Sequence, residues 1–219
     1  MPVTLHTDPH FPCPQRLQLV IEHLNLPLQE TFQYNILKGE QKTERLLKIN
    51  PAGSVPFIED ELDAQPFFLA ESRAIARYLV ARYGKDSGLM PDPSNLGEYA
   101  KFEQAAAVEV AGFDPAANPL VLEEHFKPNL FERDPDLHLA QWLRKRLDPV
   151  LSNLNNTLKT QPFMAGEKLT LVDFFYVPYT HYLVEIVWPS CFEERPHLAA
   201  WWASMTKLAA YKSVYGSKE

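Results

Sequence analysis

Two short stretches of this chain carry residue types whose spacing suggests chemistry. The first, Asn50-Pro51-Ala52-Gly53-Ser54-Val55-Pro56, runs into the apolar residues Phe57 and Ile58. Proline is tolerated at the first residue of a strand because it owes no N–H to the ladder there. Val55-Pro56 is therefore a candidate cis bond in a tight turn. Such a turn would aim the backbone N–H and C=O of Val55 outward, free to pair with an extended peptide. The second stretch is Ala70-Glu71-Ser72, where a strand ends and a helix begins. Ser72 suits the cap of a helix whose apolar positions are Ile75, Tyr78 and Leu79. A helix start has unsatisfied N–H groups and the positive end of the dipole, so it favours a carboxylate. Together the stretches describe a pocket for a short anionic peptide.

The elements that must position these residues can be read from periodicity. Val3 to His6 is a short apolar strand, and a Pro-rich loop, Thr7 to Pro14, leads into a helix with Leu17, Val20, Ile21 and Leu24 on one face. Leu28 to Tyr34 reads as a second strand, and a short helix ends near Asn50. Strands at about 57–59 and 67–70 and the Ser72 helix follow. The order β-α-β-α-β-β-α is that of a thioredoxin-like fold, with a right-handed first crossover. Residues 86–97, with Gly88, Pro91, Pro93 and Ser94, read as a linker. Residues 98–219 show only helical periodicity. There, a helix over 98–110 should be bent or interrupted by Pro115 and Pro119 and resume over 120–127, ahead of a loop around 128–135. A long helix spans 137–159, with a kink conceivable at Pro149. Thr170-Leu171-Val172-Asp173 is a capping box, and Pro178 should kink the helix it starts. Residues 196–208 form the last clear helix. The fold class is thus a thioredoxin-like domain at 1–85, a linker at 86–97 and an all-α domain at 98–219.

Composition narrows the function. The chain has 219 residues, 46% of them apolar, which suffices for a sizeable core. Its net charge of −7 argues against nucleic acid and anionic membrane as partners. No apolar run nears the ~20 residues that span a bilayer, and the N-terminus does not read as a signal peptide. The two cysteines, Cys13 and Cys191, make neither a disulfide framework nor a metal set. A cytoplasmic location and no metal are the resulting expectations.

The pairing of an N-P-x-G-x-V-P turn with an E-S-R-A-I helix start, about fifteen residues apart, resembles the glutathione site of the glutathione transferases. The resemblance covers nearly the whole chain and is closest to the phi class of plants and fungi. Phe113-Asp114-Pro115, Glu124 to Pro128, Thr170 to Asp173 and Arg195 to Leu198 resemble phi-class segments too. It implies glutathione as co-substrate, an apolar electrophile as acceptor, and a homodimer. It assigns the γ-glutamyl carboxylate to Ser72 and the α-amino group to Glu71. The cysteinyl backbone falls to Val55 at the Pro56 turn, and the glycyl carboxylate to Lys42 near Gln41 and Ser54. The acceptor is assigned to a pocket of Phe11, Phe113, Ala117 and Asn118, with Tyr179 or Tyr182.

One departure matters. Phi-class members carry a serine five residues before the arginine that here matches Arg16; counting back gives Phe11, which can neither donate a hydrogen bond nor attack. Three readings stay open. Cys13 resembles, with the wrong spacing, the cysteine of thiol-using relatives. His10 would serve as donor or base. Otherwise backbone N–H groups or a water would hold the thiolate, with Phe11 lining the acceptor pocket. A non-catalytic carrier of apolar ligands is the alternative to an enzyme.

Overall fold

The computed structural model describes residues 3–216, which divide into two compact units. One comprises the residues up to Ser87 together with those from Ala209 on; the other is Gly88–Leu208.

The first unit follows the expected order: β1 (Thr4–Thr7), α1 (Pro12–His23), β2 (Glu30–Gln33), α2 (Glu44–Ile49), β3 (Phe57–Leu62), β4 (Gln65–Ala70) and α3 (Ser72–Tyr83). The sheet runs β2-β1-β3-β4, with β1 parallel to β2 and the other pairs antiparallel. Its register places Leu5 opposite Thr31 and Ile58, and Ile58 opposite Leu69. Leu17, Leu19 and Val20 of α1, Ile58 of β3 and Ile75 and Leu79 of α3 are fully buried. Each such side chain stabilises the unit by roughly 1.5–3 kcal/mol relative to exposure. Val55-Pro56 is cis, as its place before a strand leads one to expect. On another part of the sheet, buried His6 stacks on Phe57 with ring centroids 4.0 Å apart. Its Nδ1 lies 2.7 Å from the Tyr34 hydroxyl.

The second unit is helical, but not as interrupted as its prolines suggest. α4 (Leu96–Val108), α5 (Asp114–Val121) and α6 (Lys127–Leu130) follow one another through wide π-helical turns at Glu109–Phe113 and Leu122–Phe126. The expected break at Pro115–Pro119 and the loop from Pro128 are therefore corrected: helical backbone runs on to Leu130. A proline in a helix collides with the carbonyl four residues earlier. For Pro115 and Pro128 that residue is Ala111 or Glu124, and each lies inside a π turn. The widened turn gives the ring room. α7 (Leu137–Leu158), α8 (Leu171–Tyr182), a π turn at Leu183–Val187 and α9 (Pro196–Met205) complete the unit.

Two further expectations change. Helix 196–208 is not the last: α10 (Ala209–Tyr215) follows it. Nor does the C-terminal segment stay with the helical domain of 98–219. α10 packs on α1 in the first unit, where the Tyr215 hydroxyl donates to Gln15 Oε1 (3.1 Å) and Ser213 Oγ to Glu22 Oε2 (2.9 Å).

The expected capping box is present and does more than cap. Thr170 N–H donates to Asp173 Oδ2 (2.9 Å), and Met164 N–H and Trp201 Nε1 donate to Oδ1 (2.9 and 3.0 Å). Burial pushes this fully enclosed carboxyl up, while those donors pull it down. Asp173 thus ties the loop before α8, the start of α8 and α9 together.

Candidate functional site

The site is built from three backbone features of the first unit. The turn before β3 comes first. Gly53 has φ +58°, and a Cβ there would crowd Leu47 Cδ2 at 3.0 Å and Lys42 Cγ at 3.4 Å, so a larger residue would be strained. The same distances lay the Lys42 stem against this turn. Asn50 Nδ2 donates to the Ser54 carbonyl (2.8 Å) and holds the turn's shape. Neither the N–H nor the C=O of Val55 has a hydrogen-bond partner among the described residues. Both are available to a strand-like peptide. In the segment before α2 a second polar atom is buried without a partner, Oε1 of Gln41. Leaving it unpaired costs roughly 1–3 kcal/mol, which a ligand's N–H would recover.

The start of α3 is the second feature. Glu71, not Ser72, is the residue before the helix; its φ of +71° is unusual for a side chain of this size. That conformation costs roughly 1–3 kcal/mol and clusters at ligand sites. Glu71 places no side-chain cap on the helix. The first intrahelical bond is Ile75 N–H to Glu71 C=O (2.9 Å), so the N–H groups before it lead the helix. Ser72 is therefore the first helical residue rather than its cap, which corrects the expectation. The buried Ser72 hydroxyl instead accepts from Arg16 Nη1 at 2.9 Å.

The third feature is the start of α1. Phe11 occupies the cap position and supplies no side-chain hydrogen bond. Its N–H donates to the Asp8 carbonyl (3.3 Å), and Gln15 N–H donates to the Phe11 carbonyl (3.1 Å). Pro12 and Pro14 have no N–H. One donor remains in the first turn, the Cys13 N–H, and it has no partner among the described residues. The half-buried Cys13 Sγ lies 3.4 Å from Arg16 Nη1. The loop ahead is fixed: buried Asp8 accepts from Ile36 N–H (3.2 Å), and Gln15 Nε2 donates to the Pro9 carbonyl (3.0 Å).

Arg16 is the residue that sequence reasoning missed. It is fully buried and bridges the starts of α1 and α3 through Cys13 Sγ and Ser72 Oγ. A signal was available: Arg16 falls four and eight residues before Val20 and Leu24, on the apolar stripe of α1.

The remaining candidates are placed as follows. His10 has its side chain 81% exposed, with Nδ1 held 2.8 Å from Asp8 Oδ1. Lys42, Ser54 and Glu71 are exposed and Val55 and Phe11 half-buried, while Pro56 is buried. In the second unit Phe113, Ala117, Tyr179 and Tyr182 are buried, Phe113 against Tyr176 with centroids 4.8 Å apart; only Asn118 is exposed. Phe113, Ala117 and Tyr179 thus have their side chains enclosed within the helical unit.

A peptide-pairing turn and an uncapped, strained helix start, joined by one buried arginine, make a compact site for a short peptide with a terminal carboxylate. Residues 12–82 match the glutathione S-transferase N-terminal domain, and residues 118–209 match the glutathione S-transferase C-terminal domain. A glutathione S-transferase, PM239X14, of Arabidopsis thaliana is 33% identical over 94% of this chain and 92% of its own. The chain belongs to the glutathione S-transferase family. Glutathione transferase F7 of Populus trichocarpa superposes with a TM-score of 0.86 at 29% identity, over 97% of each chain. Glutathione transferase URE2P6 of Phanerochaete chrysosporium, solved with oxidised glutathione, gives 0.82 at 25% identity over 97% of this chain and 94% of its own. The relatives place this transferase with the phi class. No helix among its described residues is long and apolar enough to cross a membrane.

Proposed function

We infer that this chain binds glutathione and joins it to an apolar electrophile, or uses it to isomerise or eliminate from one. The N–H of Cys13, rather than a hydroxyl, holds the thiolate. The observation that carries this reading is the start of α1, where one backbone donor is left open and Phe11 offers none. The α3 start receives the γ-glutamyl carboxylate beside Ser72, and Glu71 faces the α-amino group. Val55 pairs with the cysteinyl backbone. Lys42 takes the glycyl carboxylate, with Gln41 completing its hydrogen bonds against the same end. A thiol of ordinary pKa near 8.5 needs stabilisation to ionise at neutral pH. A single N–H at a helix start supplies part of it through hydrogen bond and dipole together. Binding contributes the rest of the rate by orientation.

Phe11 forms one apolar wall beside the thiol, and from the helical unit Phe113, Ala117, Asn118 and Tyr179 keep the acceptor role that the resemblance gives them. A homodimer and a cytoplasmic location complete the proposal, on the family's general habit.

The experiment is Cys13→Ala, which keeps the N–H and removes the thiol. Turnover of a chloro-nitro arene with glutathione should persist within about threefold. Loss of turnover, with a glutathione mixed disulfide on wild-type Cys13 by mass spectrometry, would move the protein to thiol–disulfide chemistry. No glutathione binding by calorimetry at millimolar ligand would remove the site assignment altogether.

A further inference from the structure

The loop between β1 and α1 holds a carboxylate–imidazole pair that the thiol site has not yet used. Asp8 is 4% exposed. Its Oδ2 accepts from Ile36 N–H (3.2 Å). Its Oδ1 accepts from the His10 backbone N–H (3.2 Å) and lies 2.8 Å from His10 Nδ1. An ionised carboxylate only accepts, so Nδ1 carries the proton and Nε2 is the basic nitrogen. A carboxylate fixed by backbone donors thus sets the tautomer and orientation of the ring and favours its protonated form. The His10 side chain is 81% exposed. Ion pairs at a surface contribute little to stability, whereas an oriented and accessible imidazole suits proton transfer.

Position along the chain brings this pair to the thiol. Phe11 N–H donates to the Asp8 carbonyl (3.3 Å), a turn that leads His10 into the start of α1. His10 directly precedes Phe11 and stands three residues before Cys13, whose N–H holds the thiolate in the reading above. Three residues span at most about 10 Å, within reach of an imidazole that acts through one water.

Resting on that reading, we propose that His10 is the proton-transfer group of the reaction and Asp8 its positioning residue. A backbone N–H holds a thiolate but takes no proton; Nε2 takes it as the sulfur attacks. With an enone, the S–C bond forms at the β-carbon and the alkene π pair moves towards the carbonyl as an enolate. The imidazolium then returns its proton to that enolate. With a chloro-nitro arene, the C–Cl bond breaks, chloride leaves with the electron pair, and the proton passes from Nε2 to solvent. Only the enone needs the proton back. The pair therefore favours electrophiles that gain a proton on conjugation.

The experiment compares 4-phenyl-3-buten-2-one with a chloro-nitro arene, using the full-length chain and glutathione. General acid–base catalysis contributes roughly 10²–10⁴-fold, and in His10→Gln the enone-to-arene rate ratio should fall at least about tenfold. Asp8→Asn should lower the ratio in the same direction. Imidazole in solution should restore part of the enone rate to His10→Ala, which a structural role would not allow. The proposal is overturned if His10→Gln leaves the ratio unchanged, if imidazole restores nothing, or if wild type binds glutathione and does not turn over the enone. An unchanged ratio in folded Asp8→Asn overturns the positioning role; should that variant fail to fold, the His10 variants carry the decision. Absence of glutathione binding by calorimetry would instead remove the underlying reading, and this one with it.

Discussion

Two helix starts in this protein solve the same problem in opposite ways. Every α-helix begins with N–H groups that have no intrahelical partner. At the start of α8 the chain answers from within: Asp173 turns back to Thr170 and also gathers Met164 N–H and the Trp201 indole. At the start of α3 the chain declines to answer. Glu71 sits at φ +71° with no side-chain cap, and the Ser72 hydroxyl is held by Arg16. A helix start closed on its own residues serves folding, while one left open and strained serves a ligand. The start of α1 lies between them: two prolines delete donors, and the Cys13 N–H is kept.

The contrast makes opposite demands on mutation. Asp173→Ala strands several buried donors, each worth about 1–3 kcal/mol when unpaired. Urea unfolding should show a loss of about 3–5 kcal/mol, with glutathione affinity of the folded fraction unchanged. Equal loss of affinity without loss of stability would erase the distinction between the two starts.

Ser72→Ala should do the reverse. Glutathione binding by calorimetry should weaken by about 1–3 kcal/mol, the scale of a hydrogen bond to a charged group, and stability should change by less. Phe11→Ser tests the intermediate case at α1. A hydroxyl there adds a bond to the thiolate, and about 1.5–3 kcal/mol corresponds to roughly ten- to a hundredfold in rate. The rise should appear with a generic chloro-nitro arene, together with a lower apparent pKa of bound glutathione. Brisk wild-type turnover, unimproved by the serine, would show that the single backbone donor suffices.

The smallest effect lies at the other end of α8. His181 falls in the last turn, where the dipole favours a cation. Burial outweighs this and lowers its pKa to about 4, with Glu185 raising it and His125 lowering it. In the unfolded chain the same ring titrates near 6.5. The unfolded state therefore binds more protons between those values, and stability falls as pH drops from about 6.5 towards 4. Allowing for solvent screening, the loss is about 1–2 kcal/mol. His181→Gln should flatten this part of a urea-unfolding pH profile; an unchanged slope would assign it to another group, such as His6, which burial also lowers.

Features that depend on near neighbours are legible in the amino-acid order. The succession of elements along the first unit, the cis Val55-Pro56 turn, the Thr170–Asp173 box and the long helix from Leu137 all follow from residues a few positions apart. Periodicity and turn chemistry report that range faithfully. Other features arise only when distant segments pack. Arg16 meets Ser72 across 56 positions of chain, and Tyr215 meets Gln15 across 200. Neither pairing leaves a local pattern. Pro115 and Pro128 read as breakers until packing supplied a π turn at the colliding carbonyl. For Phe113 and Ala117, apolar spacing marks that a face is buried but not which neighbours bury it. Ser72 lost its cap role for the same reason: which residue precedes a helix is a local matter, but what occupies its hydroxyl is settled by a side chain arriving from another element.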